Sequence, residues 1–144
     1  MTDTVFVLNG PNLNLLGTRE PAIYGTATLT DIEQDLRTHG QSLDVEISFH
    51  QTNHEGQLVD WLQEADRQGA RAVLLNAGAY THTSIALLDT IRAIATPVIE
   101  VHLSDPTARE PFRHTSYVGM AAAGCVQGLG PRGYIAALDQ AMTL

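Results

Sequence analysis

Val5-Phe6-Val7-Leu8-Asn9 is a short apolar run that ends in an asparagine and a Gly10-Pro11 turn. It reads as a strand. Further runs recur at intervals that leave room for one helix each. Leu43, Val45, Ile47 and Phe49 alternate, as in a strand with one apolar face. Ala72 to Leu75 is continuously apolar, Val98 to Leu103 begins just after Pro97, and Gly124 to Gln127 is a short last run. Between the runs, Leu29, Ile32 and Leu36 have helical spacing. Thr30 and Glu33 have the spacing of a capping box there, and Gly40 is placed as a stop. Asn53 is placed to cap a helix carrying Leu58, Leu62 and Ala65, ending at Gly69. Ile85, Leu88 and Ile91 share the next helix, and Ile135, Leu138 and Met142 face inward on the last.

Alternation of this kind predicts an α/β fold, a parallel sheet with helices on both faces. Right-handed crossovers leave few topologies. For a five-stranded parallel sheet the expected order is 2-1-3-4-5, the flavodoxin-like arrangement. The 144 residues fit one domain, so residues 1–144 are read as a single flavodoxin-like catalytic domain. A chain of this size buries enough surface to need no disulfide or metal staple.

The composition removes several function classes. The net charge is -8 and no basic stretch stands out, which disfavours nucleic acid and anionic membranes as partners. All eight basic residues are arginines. Without lysine the chain has no Schiff-base nucleophile and no phosphate-loop lysine. Met1-Thr2-Asp3-Thr4 has no basic segment, and Val5 to Leu8 is too short for a signal peptide or a membrane span. The single cysteine, Cys125, lies in an apolar stretch and is expected to pack. These features together predict a cytoplasmic protein.

In open parallel sheets, ligands bind beyond the carboxyl ends of the strands, near the reversal of strand order. The unusual polar residues fall there. Strand 1 runs into Asn9-Gly10-Pro11-Asn12-Leu13-Asn14, and strand 3 ends at Asn76 before Tyr80-Thr81-His82-Thr83-Ser84. Strand 4 carries Glu100 and His102, then Leu103 and Ser104, with arginines at Arg19, Arg109 and Arg113. Each has a plainer reading. Asn12 and Asn14 suit turns, His102 alone reads equally as a core histidine, and Ser84 can simply begin a helix. Glu100 is harder to dismiss, because a carboxylate on a buried strand needs a hydrogen-bond partner. His102, two residues on, points to the same sheet face. A carboxylate orienting an imidazole is common in general acid–base sites.

Leu16 to Gly25 is a long connection of the kind that often forms lids, with Gly17 and Gly25 as candidate hinges; Tyr24 reads either as a surface aromatic or as a tyrosine tuned by Arg19. Gly128-Leu129-Gly130-Pro131-Arg132-Gly133 matches GxGxxG, but no further strand with a ribose-binding acid follows it. It is expected to be a tight strand–helix turn. The histidines have no metal-ligand spacing. No metal and no cofactor are therefore expected. A flavin or nucleotide module would need a phosphate cradle after strand 1, where Pro11 lacks an N–H. A receiver module would want an aspartate where Asn76 stands.

These motifs, taken in order, carry a family likeness. They are Asn9 to Gly17, Arg19-Glu20-Pro21 with Tyr24-Gly25, Asn53-His54-Glu55-Gly56, Asn76-Ala77-Gly78, and Thr81 to Ser84. Glu100 to Ser104, Arg109-Glu110 with Phe112-Arg113, and Gly128 to Gly130 with Gly133-Tyr134 complete them. Over nearly its whole length the chain resembles type II 3-dehydroquinate dehydratase. The resemblance implies a flavodoxin-like subunit in a homododecamer, a tetramer of trimers. It implies dehydration of 3-dehydroquinate to 3-dehydroshikimate, in aromatic biosynthesis or quinate breakdown. Carried over residue by residue, it makes Tyr24 the base, Arg19 its activator and His102 the general acid, with Glu100 beside it. Asn12 helps hold a water at the enolate oxygen. Asn76, His82, Leu103, Ser104 and Arg113 bind substrate, and Asp89 reaches a neighbouring subunit's site. Asp105 stands where the family usually has asparagine, Leu88 where a basic residue is common, and Gln57 where glutamate is frequent.

Overall fold

The computed structural model describes residues 2–18, 22 and 25–144. Its strands are β1 (Asp3–Asn9), β2 (Val45–Gln51), β3 (Ala72–Asn76), β4 (Val98–Val101) and β5 (Gly124–Val126). All pair in parallel, in the order β2-β1-β3-β4-β5. The helices are α1 (Leu29–Ser42), α2 (Glu55–Arg67), α3 (Ile85–Ala93) and α4 (Gly133–Ala141). Among the described residues no helix is long and apolar enough to cross a membrane.

The sheet is covered on both sides because its central strands alternate between two apolar faces. Val5 and Val7 of β1, with Leu74, Ile99 and Val101, pack against Ile32 and Leu36 of α1 and Leu138 of α4. Phe6 and Leu8, with Val73, Leu75 and Val98, pack against Leu58 and Leu62 of α2 and Leu87 and Ile91 of α3. This period-two division of one strand between two cores is what a continuous apolar run encodes in a parallel sheet.

Several local expectations are corrected. The capping box of α1 is Thr28 with Asp31, not Thr30 with Glu33: the Thr28 hydroxyl accepts from the Asp31 N–H at 3.1 Å, and Asp31 accepts from the Thr28 N–H at 3.0 Å. Gly40 does not stop α1 but lies inside it, where a Cβ would come within 2.8 Å of the Val45 carbonyl oxygen. The turn is made by Asp44, at φ 56°. Asn53 does not cap α2, whose N-cap is His54. Ile85 is 56% exposed; on the last helix Ile135 and Met142 do pack, half-buried, beside Leu138, where Tyr134, Ala137 and Ala141 are also buried. Cys125 is exposed, because β5 is an edge strand only three residues long. Burial by its neighbours and the Glu100 charge nevertheless push its thiol up to about 11. Ser84 does begin a helix, accepting from the Leu87 N–H at 2.9 Å.

The carboxyl ends of β1 and β3 are drawn together by close backbone contact. The Gly10 N–H donates to the Asn76 carbonyl at 2.8 Å. A Cβ on Gly10 would lie 2.4 Å from the Ala77 carbonyl oxygen and 2.6 Å from its carbon. Backbone cannot yield as a side chain tip can. We expect Gly10→Ala to destabilise the protein by about 1–3 kcal/mol, read as a lower denaturant midpoint at unchanged slope. An unchanged midpoint would mean that the two loops part freely.

Candidate active site

Loops after β1, β3 and β4 enclose a cleft of about 80 Å³. After β1, Asn12 adopts a left-handed conformation, φ 68°, and leads into a 3-10 turn over Leu13–Leu15. That conformation is one asparagine tolerates better than most residues. Its N–H donates to Asn53 Oδ1 at 3.1 Å, and Gln51 Nε2 donates to the same oxygen at 3.2 Å. Asn53 thus braces the β1 loop, which is why it is not free to cap α2. After β3, a 3-10 turn over Gly78–His82 brings His82 to the cleft.

β4 supplies the central pair. His102 Nε2 lies 2.6 Å from Glu100 Oε2, with Glu100 4% and His102 7% exposed. The Ser116 hydroxyl donates to the same carboxylate oxygen at 2.5 Å and accepts from the Gly119 N–H at 2.8 Å. Gly119 must be bare there, since a Cβ would fall 2.8 Å from Glu100 Oε1. Burial is the strongest influence on Glu100 and pushes its carboxyl up. The hydrogen bonds from His102 and Ser116, with the His102 charge, together outweigh burial and hold the carboxyl below its ordinary value. Glu100 is therefore an acceptor, His102 Nε2 carries the proton between them, and Nδ1 is the ring nitrogen left for the cleft.

The His82 ring stacks against His102, with centroids 6.4 Å apart and planes inclined by 16°. Its Nδ1 donates to the Thr115 carbonyl at 2.8 Å, which leaves Nε2 as an acceptor. Burial, the largest influence, lowers the His82 pKa; the Thr115 bond opposes it, and the charges of His102 and Arg113 add to the lowering. These influences favour the neutral form of the His82 ring.

The third wall is the loop after β4. The Gly128 N–H donates to the Ser104 carbonyl at 3.0 Å and the Gly130 N–H to the Leu103 carbonyl at 2.9 Å. Gly128 and Gly130, at φ 78° and 63°, therefore hold the loop after β4 and spend their own amides doing so. A phosphate cradle is not what this GxGxxG forms. Arg113, whose Nε bonds Glu110 at 3.0 Å, and Arg109 also line the cleft. Asp105, the extra acid in this loop, turns away from it. Its Oδ1 accepts from the Thr107 N–H and hydroxyl, at 3.0 and 2.6 Å, and from Gln127 at 3.3 Å.

Of the residues expected at the site, Asn12, Asn76, His82, His102, Leu103, Ser104 and Arg113 line one cleft, with Glu100 behind His102. Asp89 does not join them; it is exposed on α3. Tyr24 and Arg19 lie outside the described residues. The ends of their segment come close, since a Cβ on Gly17 would be 3.0 Å from the Thr26 carbonyl oxygen, and Gly17 and Gly25 have φ of 93° and 80°. Ser116 was not expected here. It lies 16 residues beyond Glu100 in a loop, and no periodicity links the two. Among the described residues no cluster of His, Cys, Asp or Glu is arranged to hold a metal ion.

The sequence matches the family described as dehydroquinase class II over residues 3–142. It is 59% identical over 138 residues to the 3-dehydroquinate dehydratase of Rhizobium johnstonii, covering 96% of this chain and 94% of that one. It is 54% identical over 143 residues to the 3-dehydroquinate dehydratase of Maricaulis maris, covering 99% and 97%. The crystal structure of type II dehydroquinase from Butyrivibrio crossotus superposes with a TM-score of 0.96 at 38% identity, over 98% of both chains.

The folded Glu100 carboxyl lies below its unfolded value, so in acid the unfolded chain binds more protons than the folded one. The stabilisation is present above the ordinary carboxylate range, near pH 4, and fades as pH falls toward the folded value. Glu100→Gln should lower stability by about 2 kcal/mol at pH 7, with the gap to wild type narrowing below about pH 4. Paired thermal melts across that range check it; a gap that stays constant would mean the ionised carboxylate contributes nothing.

Proposed function

The chain belongs to the dehydroquinase class II family, hydro-lyases in kind, and on that premise we propose that it dehydrates 3-dehydroquinate to 3-dehydroshikimate through an enolate. The observation that carries this reading is the buried Glu100–His102 pair, with Nδ1 left for a cleft that also holds anion-binding groups. The substrate has a ketone, a neighbouring CH2, and a carbon bearing both hydroxyl and carboxylate. Tyr24 takes a proton from the CH2, and the C–H electrons pass into the enolate. The enolate then re-forms the carbonyl, the new carbon–carbon double bond forms, and the carbon–oxygen bond of the hydroxyl breaks. His102 delivers a proton to that oxygen, which leaves as water.

Tyrosine is a weak base at neutral pH, since its ordinary pKa is about 10 and ionising it at pH 7 costs roughly 4 kcal/mol. A neighbouring arginine lowers such a pKa by about 1–3 units, which is the role we assign to Arg19. Asn12 helps hold a water at the enolate oxygen. The Leu103 and Ser104 amides with Arg113 bind the carboxylate, which the local geometry favours: the carbonyls of both residues are tied to the Gly128–Gly130 turn. Asn76 and the neutral His82 bind the remaining oxygens. Glu100 orients His102 and balances its charge. Asp89, exposed on α3, completes the site of a neighbouring subunit in a homododecamer. The reaction needs no metal and no cofactor, and belongs to the shikimate or quinate pathway of the cytoplasm.

Incubation of the purified protein with 3-dehydroquinate should produce the ultraviolet absorbance of a conjugated enone. Tyr24→Phe should abolish both turnover and exchange of the proton next to the ketone, and His102→Ala should impair turnover more than exchange. Each loss should be about 10² to 10⁴ in rate. No enone from the wild type would sink the activity; near-normal turnover by Tyr24→Phe would send the search for the base elsewhere.

A further inference from the structure

A chain of hydrogen bonds crosses the carboxyl ends of β2, β1 and β3 and ends at the cleft. The Gly78 N–H donates to Asn76 Oδ1 at 3.2 Å. Asn76 Nδ2 donates to the Tyr134 oxygen at 3.0 Å, the Tyr134 hydroxyl donates to Asn9 Oδ1 at 2.7 Å, and Asn9 Nδ2 donates to the His50 carbonyl at 3.0 Å. Asn9 and Tyr134 are wholly buried and Asn76 is 4% exposed. Asn76 and Gly78 line the cleft, whereas Tyr134, Asn9 and His50 do not.

The direction of this chain is fixed by its ends. An amide can exchange its oxygen and nitrogen by rotating half a turn. A backbone carbonyl, however, can only accept, and a backbone N–H can only donate. The His50 carbonyl therefore draws the Asn9 nitrogen, which turns the Asn9 oxygen to Tyr134. That oxygen only accepts, so the hydroxyl spends its one proton there and meets Asn76 with a lone pair. Asn76 must present its NH2 to Tyr134 and its oxygen to the Gly78 N–H. No link can be reversed without leaving a buried donor facing a donor, or an acceptor facing an acceptor.

We propose that Tyr134 is a positioning residue for the site: its hydroxyl sets the orientation of the Asn76 amide, so that Asn76 offers the cleft its second Nδ2 proton. The position then selects an oxygen that accepts a hydrogen bond. This deepens the reading above that Asn76 binds substrate. Burial, the dominant influence on Tyr134 and only partly opposed by the Asn76 bond, pushes its pKa well above the ordinary value, so the chain keeps its direction across the working pH range.

Tyr134→Phe retains the ring and removes the hydroxyl. Asn76 then keeps one fixed partner, and its NH2 faces a ring edge. We expect KM for 3-dehydroquinate to rise about tenfold with kcat within about threefold and the pH profile unmoved. Asn9→Ala, at a buried residue that does not itself line the cleft, should give the same split, because the freed hydroxyl can turn its proton toward Asn76. The double variant should be no worse than the worse single one, as for residues acting as a unit. A lowered Tm with unmoved KM, measured well below the melting transitions of both single variants, would make Tyr134 a packing residue only and overturn the proposal. Nuclear magnetic resonance of the side-chain amides gives a reading independent of turnover. The Asn76 NH2 protons should exchange slowly with water in the wild type and quickly in Tyr134→Phe. Unchanged slow exchange would overturn the proposal even in an active enzyme. An inactive wild type with the expected exchange difference would instead count against the dehydratase reading and leave the orientation of Asn76 as described.

Discussion

A carboxylate on an interior strand of a parallel sheet has to be satisfied where it stands, and the surroundings of Glu100 follow from that requirement. An unpaired buried charge costs several kcal/mol, more than most single contacts in a small protein return. Glu100 meets it with His102 from the chain just beyond its own strand and with Ser116 from the following loop. The consequence reaches the cleft. By holding Nε2, Glu100 leaves Nδ1 for the cleft, and by accepting from Ser116 it fastens the loop in which Gly119 leaves room for its other oxygen. The same interaction is thus a packing solution and the contact that orients the His102 ring.

The other two walls are built on similar terms, with backbone groups satisfied on one side so that side chains or amides remain on the other. Gly10 meets the backbone of Ala77, the glycines at 128 and 130 hold the carbonyls of Leu103 and Ser104, and Asn53 takes the N–H of the left-handed Asn12. Below them the Asn9–Tyr134–Asn76 chain ties three strand ends together. In a protein of net charge -8, two guanidinium groups, those of Arg109 and Arg113, nevertheless line the cleft, so the local charge need not follow the global one.

The sheet order was legible in the sequence because strands alternate with helices and parallel crossovers are right-handed, and the pairing of Glu100 with His102 because it rests on a period of two, the shortest pattern a chain carries. The helix starts were less so. Thr30 with Glu33 and Thr28 with Asp31 have the same spacing, and only the geometry of the incoming chain chooses between them. Asn53 has the chemistry of a cap, yet a bond to a loop 41 residues away takes its oxygen. Cys125 looked like core because its neighbours are apolar, but an edge strand of three residues leaves it exposed. Ser116 carried no local signal, and Tyr134 none beyond its place in the Gly133-Tyr134 motif, since their partners lie 16 and 125 residues distant in sequence. The Glu100–His102 pair was visible because its partners are near in the chain; the contacts of Ser116 and Tyr134 are set by how distant segments fold over the strand ends.

The central claim is that Glu100 holds the Nε2–H of His102, leaving Nδ1 as the nitrogen that meets the substrate. Two-bond proton–nitrogen correlation spectra of the histidine rings test it most directly. The account predicts that His102 Nε2 bears a proton in both charge states of the ring, and that Nδ1 is the nitrogen whose resonance moves as the ring takes up its second proton. It also predicts a far-downfield Nε2–H signal that is displaced in Glu100→Gln. A neutral His102 carrying its proton on Nδ1, with Nε2 the nitrogen that moves, would contradict the arrangement and with it the role given to the pair.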